Sequence, residues 1–161
     1  CMFVLANPPN MKIEDKIKQK KFNTLSEKSF VNISHTQSYL SGKLHNALKP
    51  YKISPQQFNV LRILRGQHPN PISIKNITSR MVDKMSNVSR LVEKLHLKGL
   101  IDRKMSKEDK RQVEVVISLM GQELLELLST EVMNVIEAHN HLTDEEFETL
   151  NNLLDKFRID D

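Results

Sequence analysis

Cysteine is almost absent from this 161-residue chain, with a single one at position 1. That excludes a disulfide within the chain and any cluster of cysteine metal ligands. Glycine is nearly as scarce, at four residues, and neither a Walker sequence nor a dinucleotide fingerprint is present, which excludes glycine-rich phosphate loops. No apolar run approaches the roughly 18 residues of a membrane-spanning helix, so no membrane partner is expected. The chain opens on apolar residues, but no basic flank and cleavage site accompany them, so secretion is not predicted. No nucleophile motif and no acid pair at diagnostic spacing point to an enzyme. Hydrophobic residues make up 39% and charged residues 27%, the balance of a folded protein. A small, mostly helical, cytoplasmic protein is the expectation.

Charge is unevenly spread. The net value of +4 conceals balances of +6 over residues 1–61, +8 over 62–111 and −10 over 112–161. A basic middle beside an acidic C-terminal segment suits a polyanion-facing surface with a segment held away from it. A solvated surface of uneven charge fits equally well, so charge alone does not decide.

Residues 1–11 lack helical spacing and contain Pro8-Pro9; they read as a flexible extension, with Met11 a sensible start. Apolar positions at Ile33, Leu40, Leu44 and Leu48 predict a helix over about 12–48, ended by Pro50. Ser54-Pro55-Gln56-Gln57 supplies an N-cap, a proline at the first helical position and a capping-box glutamine. Phe58, Leu61 and Leu64 continue that helix to Gly66. After the loop at Pro69 and Pro71, a short helix is predicted over 74–81, a tight turn over 82–84, and a further helix over 86–98 with Gly99 just past its end. Strands follow at 101–105 and 112–117, joined by the polar loop 106–111. Ser118 caps a helix to about Ala138, and Thr143-Asp144-Glu145-Glu146 opens a last one along Phe147, Leu150, Leu154 and Phe157.

Helix, turn, helix and hairpin in this order make a winged helix–turn–helix, a DNA-reading architecture. At about 100° per residue, Val88, Leu91, Val92 and Leu95 share an arc of roughly 100° on the second helix of the pair. Ser86, Ser89, Arg90 and Glu93 lie opposite. Small hydroxyls, an amide and a guanidinium suit a major groove, where Arg can bond guanine bidentately. Ser86, Asn87, Ser89 and Arg90 are therefore the base-contact candidates. Lys84, Lys94, Lys98, Arg103 and Lys104 are candidates for phosphates, and Glu93 reads as a salt-bridge or orienting group. In the hairpin loop, Lys110 and Arg111 are positioned for a narrow minor groove, with Asp109 able to orient Arg111.

Ser89-Arg90-Leu91-Val92-Glu93-Lys94-Leu95, then Lys98-Gly99-Leu100-Ile101-Asp102-Arg103, Asp109-Lys110-Arg111 and Ile117-Ser118-Leu119-Met120-Gly121, together resemble the multiple antibiotic resistance regulator (MarR) family. The family pattern is a Ser-Arg recognition helix, a Lys-Gly-Leu-Val/Ile-x-Arg exit, an Asp-x-Arg wing and a Leu-Thr-x-x-Gly lead into the next helix. Likeness extends over about residues 12–158 and is sharpest over 86–121. The chain departs at Ser118, where threonine is usual, and its 74–81 helix lacks the common Leu-Ala pair.

The resemblance implies a mainly α fold with a small β-hairpin wing. An N-terminal dimerisation helix would occupy 12–50, a winged helix–turn–helix domain 54–119, and C-terminal dimerisation helices 120–161. Apolar stripes on the outer helices, surplus to a compact winged domain, independently favour a homodimer. Such a dimer would straddle a pseudo-palindrome in double-stranded DNA, with half-sites roughly 10 bp apart. The resemblance also implies a small-molecule effector; His35, Tyr39 and Arg62 are available to such a pocket, though none is singled out. No cofactor is expected. His139 and His141 form the one close histidine pair for a zinc-responsive alternative, and Cys1 lies too far into the extension for thiol sensing. A winged-helix protein adaptor is the remaining alternative.

Overall fold

The structure is a computed structural model that describes residues 11–105 and 113–158. The chain divides into two compact units at the Lys43–Leu44 junction.

In the first unit, α1 covers Ile13–Ile17, and α2 starts at Leu25 and runs to Leu48, crossing the junction. The single helix expected over 12–48 is therefore two. Lys18 adopts left-handed backbone, φ 57°, and its N–H returns to the Glu14 carbonyl to close α1. The chain restarts where the Thr24 hydroxyl accepts from Glu27 N at 3.0 Å and the Glu27 carboxylate accepts from Asn23 N at 2.7 Å. Two reciprocal bonds of this kind satisfy N–H groups that a helix start otherwise leaves unpaired. Lys28 on α2 holds Glu14 on α1 by an ion pair of 2.5 Å, and this lysine keeps the Glu14 carboxyl below its ordinary range. Phe30, Ile33, Tyr39 and Leu40 on α2 remain exposed.

The second unit opens with a 3-10 turn at Lys49–Tyr51, and Lys52 then takes left-handed backbone, φ 57°. Helix α3, Pro55–Arg65, carries the capping box read from the sequence, with Ser54 and Gln57 bonded reciprocally. A two-residue strand β1, Ile72–Ser73, leads into α4, Ile74–Arg80, whose N-cap is Ser73. Helix α5 spans Val88–Leu97, β2 spans Ile101–Met105 and β3 spans Val113–Ile117. Gly99, at φ 70°, makes the left-handed step from α5 into β2 that a residue with a Cβ takes only at a cost. Helices α6, Leu119–Glu137, and α7, Asp144–Phe157, complete the chain. Ser118 and Thr143 cap them as expected.

The sheet is antiparallel in the order β1-β3-β2, with Ile72 and Arg103 flanking Val115 from either side. Strand β1 was not anticipated, being too short for alternation to register. Leu61, Leu64, Ile77, Met81, Val92, Leu95, Ile101, Val115 and Leu128 pack into one buried core. A fully buried aliphatic side chain of this kind contributes about 1.5–3 kcal/mol. Tyr51 ties the 3-10 turn to α6 by donating its hydroxyl to Glu131 at 3.2 Å. Burial, then this carboxylate, pushes the phenol above its ordinary range. By contrast α7 buries no residue, and Leu150, Leu153 and Phe157 stand exposed along it. Among the described residues, no helix is long and apolar enough to cross a membrane.

Candidate nucleic-acid interface

Helices α4 and α5 form the helix–turn–helix, and its turn is anchored from two sides. From α3, the Asn59 side-chain oxygen accepts from Val82 N at 2.9 Å. Within the turn, the Asp83 carboxylate accepts from Met85 N and from the Ser86 hydroxyl, each at 3.0 Å. The Ser86 and Met85 bonds, with a further one from the Gln56 side chain, outweigh partial burial and lower the Asp83 pKa. A carboxylate that accepts several donors favours its charged form for this reason. Asn59, Gln56 and Asp83 were not singled out from the sequence. Asp83-x-x-Ser86 is a legible turn signal, whereas the Asn59 bond joins residues 23 apart and leaves no local trace.

The turn delivers α5 with one face buried and the other open. Val88, Val92 and Leu95 are buried and Leu91 is half-buried, while Ser89, Arg90, Glu93 and Lys94 are exposed. Helix α5 begins two residues later than the spacing suggested. Ser86 sits in the turn, and Asn87 is the N-cap, its side-chain oxygen accepting from Arg90 N at 3.1 Å. This cap fixes the first turn of the helix and costs about 1 kcal/mol to remove. Gln56, Asp83, Ser86, Asn87, Arg90 and Lys94 border a shallow hollow of about 300 Å³.

The cationic candidates separate into engaged and open groups. Lys84 donates to the Ser79 carbonyl at 2.7 Å, and Lys98 donates to the Lys52 carbonyl. Arg103 on β2 pairs with Glu93 on α5, so Glu93 has the orienting role read from the sequence and locks the base of the hairpin to α5. Lys104 is exposed on β2. Asp109, Lys110 and Arg111 lie outside the described residues. Other candidates are dispersed. The Arg62 guanidinium lies 6.0 Å from the Phe58 ring and the Lys43 ammonium 5.2 Å from the Tyr39 ring. Nδ1 of His139 is 2.6 Å from the Val135 carbonyl. Among the described residues, no group of three or more histidine, cysteine, aspartate or glutamate side chains is assembled for a metal ion.

A capped, exposed α5 held by a polar turn and followed by a β-hairpin is the arrangement of a winged helix–turn–helix. Residues 53–113, which run from the residue before the α3 N-cap to the first residue of β3, match the MarR family model. That segment, the part of the chain that carries the helix–turn–helix, is similar to the MarR family. The chain is 29% identical to the HTH-type transcriptional regulator MgrA of Staphylococcus aureus over 118 residues, covering 73% of this chain and 76% of that protein. In fold, the chain is similar to Bordetella bronchiseptica BpsR, with TM-score 0.76, 20% identity, and coverage of 88% of this chain and 100% of that one. It is also similar to MepR of Staphylococcus aureus, solved as a DNA complex, with TM-score 0.71, 24% identity, and coverage of 85% and 97%.

Proposed function

We propose that the protein is a transcription regulator of the MarR family, a homodimer that reads a pseudo-palindromic site in double-stranded DNA, with affinity set by a small-molecule effector. The observation that carries the DNA reading is α5 itself. Its apolar face is buried and its N-terminal turn, rigidly capped, displays Asn87, Ser89 and Arg90 to solvent beside Lys94. In helix–turn–helix proteins the N-terminal residues of this helix meet base edges. Ser86, Asn87, Ser89 and Arg90 are assigned to the major groove, Arg90 to a guanine. Lys94 and Lys104 go to phosphates, joined by Lys84, Lys98 and Arg103, whose charged heads each hold one protein partner and keep further N–H donors. Arg111, beside Asp109 and Lys110, goes to the minor groove.

The unburied apolar stripes of α2 and α7 support the homodimer, because a second copy would cover them. Twofold symmetry would then set the two α5 helices roughly 10 bp apart. Effector control is supported by the likeness to BpsR, whose DNA binding is regulated by 6-hydroxynicotinic acid. A ligand that prefers the dimer with wrongly spaced α5 helices lowers DNA affinity by its differential affinity for the two states.

Arg90→Ala tests the assignment against a panel of single-base variants of the bound site. The expected result is a loss of roughly 1–3 kcal/mol and relaxed preference at one base pair in each half-site. Equal weakening on every sequence would make Arg90 a phosphate contact.

A further inference from the structure

A second hollow lies beside the one at the start of α5, and its charge is one-sided. Lys52, in left-handed backbone after the 3-10 turn, Lys94 on α5 and Lys98, the C-cap of α5 one turn further on, border a concavity of about 420 Å³ together with Ser54 and Leu91. No carboxylate lines it. Lys94 borders both hollows, so a cationic track continues from Asn87 and Arg90, past Lys94, to Lys98 and Lys52.

The Lys98 side chain is bent inward to reach the Lys52 main-chain carbonyl. Burial, then the ammoniums of Lys94 and Lys52, lowers its pKa. Three like charges are thus gathered around one space, and among the described residues the acceptor that meets them is a main-chain carbonyl, not a carboxylate. An anion placed between them would relieve their mutual repulsion.

We propose that Lys52, Lys94 and Lys98 form a cradle for a backbone phosphodiester of duplex DNA, which extends the contact beyond α5 to the segment preceding α3. This rests on the DNA reading above and adds Lys52, a residue with no place in the helix–turn–helix motif. A phosphate contact carries no sequence preference but adds to the salt dependence, by about 0.9 in the slope of log K against log salt per phosphate neutralised.

The test measures binding of the full chain across a salt series, with duplex from the DNA flanking its gene and with a scrambled duplex. Lys52→Asn removes the ammonium while keeping a residue that tolerates left-handed backbone, and it leaves the carbonyl that Lys98 uses. The expected result is equal weakening on both duplexes, a slope smaller by about 0.9, and recovery of both in Lys52→Arg. Circular dichroism reads folding separately, and Lys52→Gln replaces the asparagine variant if that unfolds. An unchanged slope and affinity would overturn the cradle. So would a variant that keeps its duplex binding but loses binding of inorganic pyrophosphate, which would assign the site to a free anion. If the wild-type protein binds neither duplex in a salt-sensitive way, the DNA reading itself fails, and the cradle with it.

Discussion

Gly121 is the tightest point between α6 and the rest of the winged domain, and replacing it should damage the protein more than any other glycine substitution. A Cβ built there would lie 2.1 Å from the Leu100 carbonyl oxygen and 2.9 Å from Ile117 Cγ1. The carbonyl cannot retreat freely, because it accepts from Ser118 N at 3.1 Å while Leu100 N donates to Leu95 at 3.1 Å. Gly121→Ala must therefore displace the start of α6. Overpacking of this kind costs about 1–3 kcal/mol, and loss of the Ser118 bond adds about 0.5–1.5. The total of roughly 2–4 kcal/mol corresponds to a fall of about 5–15 °C in Tm for a chain of this size. Gly99→Ala should cost less, about 1–2 kcal/mol for its left-handed backbone, since its one close neighbour is the flexible end of Met120 at 3.2 Å. Gly66 has ordinary helical backbone and nothing nearer than 3.6 Å, so Gly66→Ala should gain about 0.4–1 kcal/mol. Urea unfolding followed by circular dichroism, at fixed protein concentration, gives all three values. A Gly121→Ala protein as stable as wild type, or more stable than Gly99→Ala, would refute the packing argument.

Asp83 should make stability depend on pH in a defined direction. Its folded pKa is lowered by the Ser86 and Met85 donors, so the contribution is complete above the ordinary aspartate range and is lost as pH falls through the lowered folded value. The stability gap between wild type and Asp83→Asn should accordingly shrink below about pH 4; a gap constant with pH would remove the carboxylate from the account. On α7, Leu153 is 59% exposed, and Leu153→Glu should yield a monomer with unchanged helical circular dichroism. Sedimentation showing an intact dimer would take α7 out of the subunit interface.

Legibility of the fold followed the range of the forces. Caps at Ser54, Ser118 and Thr143 and the left-handed Gly99 are local devices, and each was readable from a few neighbouring residues. The buried stripe of α5 was readable because its period matches the helix. The break between Lys18 and Asn23 was not, since no glycine or proline marks it and lysines are good helix formers. The two residues of β1 are fixed by pairing with β3, more than 40 positions away. At the candidate interface, spacing alone placed Ser89, Arg90 and Lys94 on an open face. It could not show that Ser86 and Asn87 spend their side chains on the turn and the cap, or that Lys84, Lys98 and Arg103 already hold partners. Those are tertiary facts, and Lys52 enters the surface for the same reason.

The most direct test of the central claim is a titration of the intact protein with the DNA flanking its gene and with a scrambled duplex, each at two salt concentrations. Tight binding to the native DNA, a clear preference over the scrambled duplex, and a steep loss of affinity as salt rises are the expected results. Equal, weak binding to both duplexes would contradict it.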